Sequence, residues 1–164
     1  HCIPIDPFYL TWKAKELKIK TRFIELAGEI NSRMPAFVVN KVKEALKTSG
    51  KSIKNSKIMV LGLSYKKNVD DTRETPSFVI IDMLIEMGAE VQYSDPYIPN
   101  TIKTRKYDFN LKSIKISKKT IKEFDLVLLC TDHDGIDYDL IENESNLIVD
   151  TRGRFKRTKI AFTA

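Results

Sequence analysis

The run Ile58-Met59-Val60-Leu61 carries no polar side chain. It is followed at once by Gly62 and a charged stretch, Leu63-Ser64-Tyr65-Lys66-Lys67-Asn68-Val69-Asp70-Asp71-Thr72-Arg73-Glu74. A short run that is apolar at every position reads as a buried strand. The charged stretch ends at Thr75-Pro76, which marks a helix start, because Thr75 can cap and proline in the first turn gives up no hydrogen bond the helix needs. The sequence therefore dictates a strand, a charged loop and a helix, with the loop at the carboxyl end of the strand. In open α/β sheets that edge is where ligands bind. Two lysines, an arginine and two aspartates gather there beside the backbone N–H groups of a helix start, which points to a phosphorylated ligand.

From Lys57 onward strands and helices alternate, the pattern of a parallel sheet with crossover helices. Strands are expected at 57–63, 90–94, the wholly apolar 126–130 and 147–149, with a short edge strand at 111–116 and a last one at 159–162. Helices are expected at 77–87, stopped by Gly88, at 120–124 and at 136–141. Right-handed crossovers place the carboxyl ends of parallel strands on one edge. Tyr65 to Arg73, Asp95, Thr131-Asp132-His133 and Asp150-Thr151-Arg152 should then converge, and that convergence is the main argument for a ligand site.

The part before residue 50 is helical in pattern. His1-Cys2-Ile3-Pro4-Ile5-Asp6-Pro7 is expected to be extended, since the residue before a proline is pushed out of the helical region, and Asp6 to cap a helix with Pro7 in its first turn. Lys18-Ile19-Lys20-Thr21 breaks that helix. A second helix runs from about Arg22 to Lys47, with Phe23, Leu26, Ala27, Ile30, Met34, Phe37, Val38 and Val42 at helical spacing and Gly28 and Pro35 as interruptions. Its apolar surface is wider than one stripe, as expected of a helix that also forms a subunit interface. The polar segment 48–56 with Gly50 sets a boundary between residues 1–50 and 51–164.

Composition excludes some classes. No apolar run approaches the roughly 20 residues of a membrane span, and no leader peptide is visible, so no membrane partner is expected. A formal charge of +6, from 28 Lys and Arg against 22 Asp and Glu, suits an anionic partner. No zinc-finger spacing, RNA-binding signature or glycine–aromatic pattern is present, which argues against nucleic acid. Two distant cysteines imply no disulfide framework and a reducing cytoplasm. The chain begins at His1 and enters a proline-rich segment directly, as a piece of a longer protein would.

Several residues carry possible chemistry. Cys2 lies between His1 and Asp6 in a segment stiffened by prolines, where a thiol can serve as a nucleophile or be a small buried residue near a chain end. Cys130, ending an apolar strand, reads as core. Lys66, Lys67 and Arg73 around Asp70-Asp71 are either a loop whose charges cancel or a phosphate site. Arg152 and Arg154, flanking Gly153, either reach an anionic ligand or are exposed at a strand end. No G-x-G-x-x-G follows the first strand, so the sheet is not a nicotinamide-binding domain in its own right. His1, Cys2, Cys130 and His133 lack the paired spacing of a metal site.

Three ordered motifs, the His1–Pro7 opening, Gly62–Pro76 and Asp150-Thr151-Arg152, together resemble the UDP-glucose/GDP-mannose dehydrogenase family. Glu25–Asn31 and Tyr93–Tyr97 are similar to its UDP-N-acetylhexosamine 6-dehydrogenase branch, and Ile5 stands where some UDP-glucose-oxidising members carry lysine. The resemblance covers the whole chain but only the C-terminal part of such an enzyme, without its N-terminal NAD domain. It implies an α/β fold, a Rossmann-like parallel-sheet domain that binds the UDP-sugar, preceded by a long central dimerisation helix. It implies oxidation of the sugar C6 from alcohol to carboxylate with two NAD, in a pathway to surface polysaccharide, by a homodimer. Residue by residue, Cys2 matches the nucleophile that forms a thiohemiacetal and then a thioester, and Asp6 the residue assisting water and proton movement. Tyr65 and Lys66 match the aromatic–lysine pair holding substrate, Arg152 a substrate-binding arginine, and Arg73 an arginine reaching the cofactor. These 164 residues alone are expected to be inactive. A competing reading is a non-enzymatic signalling module of receiver type, suggested by Asp70-Asp71, Thr131 and a lysine, with Asp95 as phosphoacceptor.

Overall fold

The computed structural model describes residues 2–156 and 160–164, excepting the side chains of residues 2–4. The chain divides into two compact units, His1–Pro35 and Ala36–Ala164.

The first unit holds helix α1 (Cys2–Glu16) and the start of helix α2 (Arg22–Thr48). The expected extended entry is not found: α1 begins at Cys2 and carries Pro7 inside it, so Asp6 is a helical residue and no cap. Proline disfavours helix at the residue before it without forbidding it, and the cost is one missing N–H in the ladder. Helix α1 stops where Lys18 takes a φ of 58° and Ile19 N donates to Ala14 O at 2.9 Å. Gly28 on α2 receives the Phe8 ring, which stands where a Cβ would lie, at 2.2 Å. Phe23, Leu26, Ile30 and Met34, one stripe of α2, are exposed, Phe23 by 90%.

The second unit is a five-stranded parallel sheet, ordered β2-β1-β3-β4-β5. Its elements in chain order are β1 (Lys57–Leu61), α3 (Pro76–Glu86), β2 (Glu90–Ser94), α4 (Lys118–Lys122), β3 (Leu126–Leu129), α5 (Tyr138–Glu144), β4 (Ile148–Asp150) and β5 (Ala161–Thr163). Alternation along the strands separates two cores. Ile58, Val60, Leu126, Leu128 and Val149 pack with α3 and the α2 residues Val38, Val42, Ala45 and Leu46. Met59, Leu61, Val127, Leu129 and Ile148 pack with Ile121 of α4 and Ile141 of α5. Burying both faces is what makes the central strands apolar at every position.

The segment 111–116 is not an edge strand; it makes only the single bridges Tyr93↔Ser113 and Asn100↔Lys112. Its alternating residues instead place Ile114 and Ile116 against the second core, which mimics a strand pattern without a ladder. The expected last strand is present as β5, shifted to Ala161–Thr163, and residue 159 lies outside the described residues.

Candidate functional site

Strand β1 lies between β2 and β3, so the connections leave it in opposite directions and the chain reverses there, the position at which α/β sheets open a crevice. Here the loops after β1 and β3 are tied together. Gly62 ends β1 with a φ of +79°, and a Cβ there would stand 2.4 Å from the Thr131 carbonyl oxygen, so no other residue fits without moving the backbone. Thr131 Oγ1 donates to Ser64 O at 2.6 Å. The far end of the loop is closed by Thr75, whose side chain accepts from Ser77 N at 3.3 Å as the cap of α3, while Ser77 Oγ donates to Gly62 O at 3.3 Å.

Asp95 and His133 form the hub under this loop. Asp95 Oδ2 accepts from Leu63 N at 2.7 Å, Ser64 N at 3.4 Å and His133 Nε2 at 3.2 Å, and Oδ1 accepts from Tyr97 N at 2.7 Å and Ile98 N at 3.0 Å. Burial alone would raise its pKa, but the His133 bond and the Leu63 and Tyr97 amides outweigh that and hold the carboxyl below its ordinary value. His133 is completely buried, its ring 5.0 Å from that of Tyr97, and Tyr138 Oη donates to its carbonyl at 2.9 Å. Both groups therefore point inward rather than toward a ligand. With both oxygens engaged, Asp95 is no phosphoacceptor, which removes the receiver reading.

The outer surface of the edge carries the cations. Lys67 pairs with Asp134 at 2.6 Å, and Arg73 forms a fork with Asp71, Nε to Oδ1 at 3.1 Å and Nη2 to Oδ2 at 2.7 Å. Arg73 hydrogen bonding holds the half-buried Asp71 carboxyl below its usual range. Asp150 Oδ1 accepts from Arg152 N at 2.8 Å and Gly153 N at 3.0 Å, and Oδ2 from Phe155 N at 2.8 Å, which fixes the turn that carries Arg152. Arg154 lies over the Tyr138 ring at 4.4 Å. Lys66 and Arg152, both exposed, have no acidic partner among the described residues.

The structure thus brings Tyr65, Lys66, Arg73 and Arg152 to the carboxyl edge of one sheet. Cys2 and Asp6 belong to the other unit; the Cys2 side chain lies outside the described residues, and Asp6 is exposed. Cys130 packs against the core as expected, and burial pushes its thiol up to about 12, leaving it little thiolate. An open cleft of about 470 Å³ lies at the carboxyl end of β2, bordered by Ser94, Asp95, Pro96, Lys115, Ile136 and Leu140; Asp95 lines it, whereas Tyr65, Lys66, Arg73 and Arg152 do not. No described group of three His, Cys, Asp or Glu residues is arranged to hold a metal ion, and no described helix is long and apolar enough to cross a membrane. Asp95 and His133 were expected at the converging strand ends, whereas their buried bonds to the loop and the part of Ser64 in them were not legible in the sequence.

Comparison with known proteins gives the family and the fold. Residues 59–157 match the model of the UDP-glucose/GDP-mannose dehydrogenase family, UDP binding domain. The UDP-N-acetyl-D-mannosamine dehydrogenase of Methanococcus maripaludis is 39% identical over 134 residues, 82% of this chain and 28% of the relative. That of Pyrococcus horikoshii is 30% identical over 167 residues, 99% of this chain and 36% of the relative. The solved UDP-D-ManNAc dehydrogenase structure from the latter organism superposes with a TM-score of 0.78 at 29% identity, over 99% of this chain and 37% of the other. An NDP-N-acetyl-D-galactosaminuronic acid dehydrogenase from Methanosarcina mazei, 23% identical, shares the fold with a TM-score of 0.80 over 100% of this chain and 37% of the other. The chain spans about a third of the length of the curated relatives it matches.

Proposed function

Because the chain belongs to the UDP-glucose/GDP-mannose dehydrogenase family, we propose that its sheet edge receives the UDP end of a nucleotide sugar in an NAD-dependent 6-dehydrogenase. The observation that carries this is the pair of cations without acidic partners, Lys66 after β1 and Arg152 after β4, on the edge where a diphosphate would sit. Elsewhere on that edge Lys67 pairs with Asp134 and Arg73 with Asp71, and Arg154 is laid over the Tyr138 ring. Positive charge left over at Lys66 and Arg152 is what a pyrophosphate needs. Tyr65 supplies an aromatic surface beside them. The sugar is a UDP-N-acetylhexosamine, on the names of the relatives and on Ile5; a UDP-glucose-oxidising enzyme is the second choice.

The sheet does not fit NAD. The segment between β1 and α3 has one glycine, Gly62, where a dinucleotide turn uses three, and the carboxylate at the end of β2 is committed to five internal donors. We assign the nicotinamide to a part of the enzyme beyond these residues, with Arg73 reaching toward it. Two NAD, bound in turn, would each take one of the two hydrides lost from C6. Cys2 would hold the same carbon as a thiohemiacetal between the two losses and as a thioester after the second, which water cleaves to the carboxylate and free thiol, with Asp6 handling the proton. The exposed stripe Phe23, Leu26, Ile30 and Met34 of α2 is the face through which two copies would pair. The setting is the reducing cytoplasm, as Cys2 chemistry requires.

Calorimetric titration of the chain with UDP, UDP-N-acetylmannosamine and NAD tests the reading. UDP and its sugar should bind, NAD should not, and Lys66→Ala and Arg152→Ala should each weaken UDP about tenfold or more, the effect of removing a charge-assisted contact. Binding of NAD without UDP would overturn it.

A further inference from the structure

His133 bonds from both ring nitrogens to the loop that carries Tyr65 and Lys66, and the hydrogens in that network can be ordered. Ser64 Oγ donates its hydrogen to Lys66 O at 2.9 Å, so it meets His133 Nε2, 3.0 Å away, as an acceptor. Nδ1 accepts the Asn68 amide at 3.0 Å. The ring assigned from this network is the neutral tautomer with its hydrogen on Nε2, shared between Ser64 Oγ and Asp95 Oδ2. A Ser–His–Asp relay is thereby excluded, because serine and aspartate address the same nitrogen and the hydroxyl hydrogen points away from the ring.

The bonds fall on every second residue of the loop. Ser64 is held directly, Lys66 through Ser64, and Asn68 by its amide, while the side chains of Tyr65 and Lys66 are exposed. Asn68 takes a φ of 58°, a conformation asparagine tolerates, and its side chain adds a bond from Nδ2 to Asp134 Oδ2 at 2.6 Å. We propose that His133 is a positioning residue: a fully buried imidazole that sets the backbone on either side of Tyr65-Lys66, so that this pair is already in place when the nucleotide diphosphate arrives. This deepens the UDP-binding reading above and rests on it. A loop held in one conformation binds with its intrinsic constant, and one that samples several binds more weakly in proportion to the competent fraction. His133 touches no ligand in this account; its effect passes through Ser64 and Asn68.

The test uses the chain itself with UDP as probe, and amide hydrogen exchange as a readout independent of ligand. In His133→Leu, checked to be folded by circular dichroism, UDP binding should weaken about tenfold or more, as expected when a loop loses two buried hydrogen bonds. The Asn68 amide should lose protection while the β1 amides of Val60 and Leu61 keep theirs. His133→Asn, whose side-chain oxygen can take the place of Nδ1, should recover part of the affinity and of the Asn68 protection. Ser64→Ala leaves the imidazole and cuts its link to Lys66, so it should weaken UDP binding even if the leucine variant does not fold. A folded His133→Leu or Ser64→Ala variant with the affinity of the natural sequence overturns the proposal. Equal loss of protection in β1 and at Asn68 also overturns it, since the histidine would then be supporting the sheet and not the loop. If the natural sequence takes up no UDP, the functional reading fails and the positioning role fails with it, a result distinct from normal binding that the variants leave untouched.

Discussion

Replacing Asp95 by asparagine changes almost no volume and tests the hub directly. One carboxylate oxygen accepts from Leu63 N, Ser64 N and His133 Nε2, the other from Tyr97 N and Ile98 N. An amide group has one acceptor oxygen, so either orientation sets its NH2 against at least two buried donors. Each donor orphaned in this way costs about 1–3 kcal/mol, giving a loss of about 2–6 kcal/mol. That is a large share of the 5–15 kcal/mol by which domains are typically stable. In urea, with a slope of about 1–3 kcal/mol per molar, the unfolding midpoint should fall by about 0.7 M or more. The pH dependence follows from the direction of the shift. The carboxyl is held below its ordinary 3.8 in the folded state, so its contribution is complete above 3.8 and disappears as pH falls through the lowered value. The gap between the natural sequence and Asp95→Asn should therefore be widest near neutrality and narrow in acid. A loss under about 1 kcal/mol at neutral pH, or a gap unchanged down to acid, would refute the claim that this carboxylate organises the edge.

Two further expectations concern sites the fold makes sensitive. Gly62→Ala should cost about 2–4 kcal/mol in denaturant unfolding, combining left-handed strain with overpacking against the Thr131 backbone, whereas Gly50→Ala, at a similar φ in open space, should cost only about 1 kcal/mol; equal costs would mean the close approach is unimportant. Leu26→Glu with Ile30→Glu should convert a dimer to a monomer in light scattering without altering the circular dichroism; a natural sequence that is monomeric throughout would refute pairing of two copies through the α2 stripe.

What could be read in the sequence was whatever depends on neighbours. The apolar runs of β1 and β3 and the Thr75-Pro76 cap are local signals, and each stands within a residue or two of its expected place. The same is true of α2, whose helical spacing persists through Pro35. The entry into α1 was misread because two prolines in seven residues outweighed every other local cue. Residues 111–116 misled for a different reason: alternation reports one buried face, and a loop lying against a core also has one. The clamp under the loop was legible only as a convergence of strand ends, not as a set of bonds. Ser64, Asp95 and His133 have no periodicity in common, and only the order of β2, β1 and β3 in the sheet brings them together. Tyr65, Lys66 and Arg152 were proposed from motif and strand-end position, and the structure places them on that edge.

The span of those bonds also fixes when the edge comes into being. Ser64 and His133 are 69 residues apart, Ser64 and Thr131 67, and Leu63 and Asp95 32. Closing such loops is entropically costly and is repaid only after β2 and β3 have paired with β1. A chain made from its N-terminus exposes residues 62–75 well before the histidine that shapes them has been synthesised. Assembly of the binding edge is thus expected to be a late event, on the native side of the folding barrier. A nucleotide that recognises the finished edge has nothing to hold in the transition state, so it will slow unfolding and leave the rate of folding unchanged.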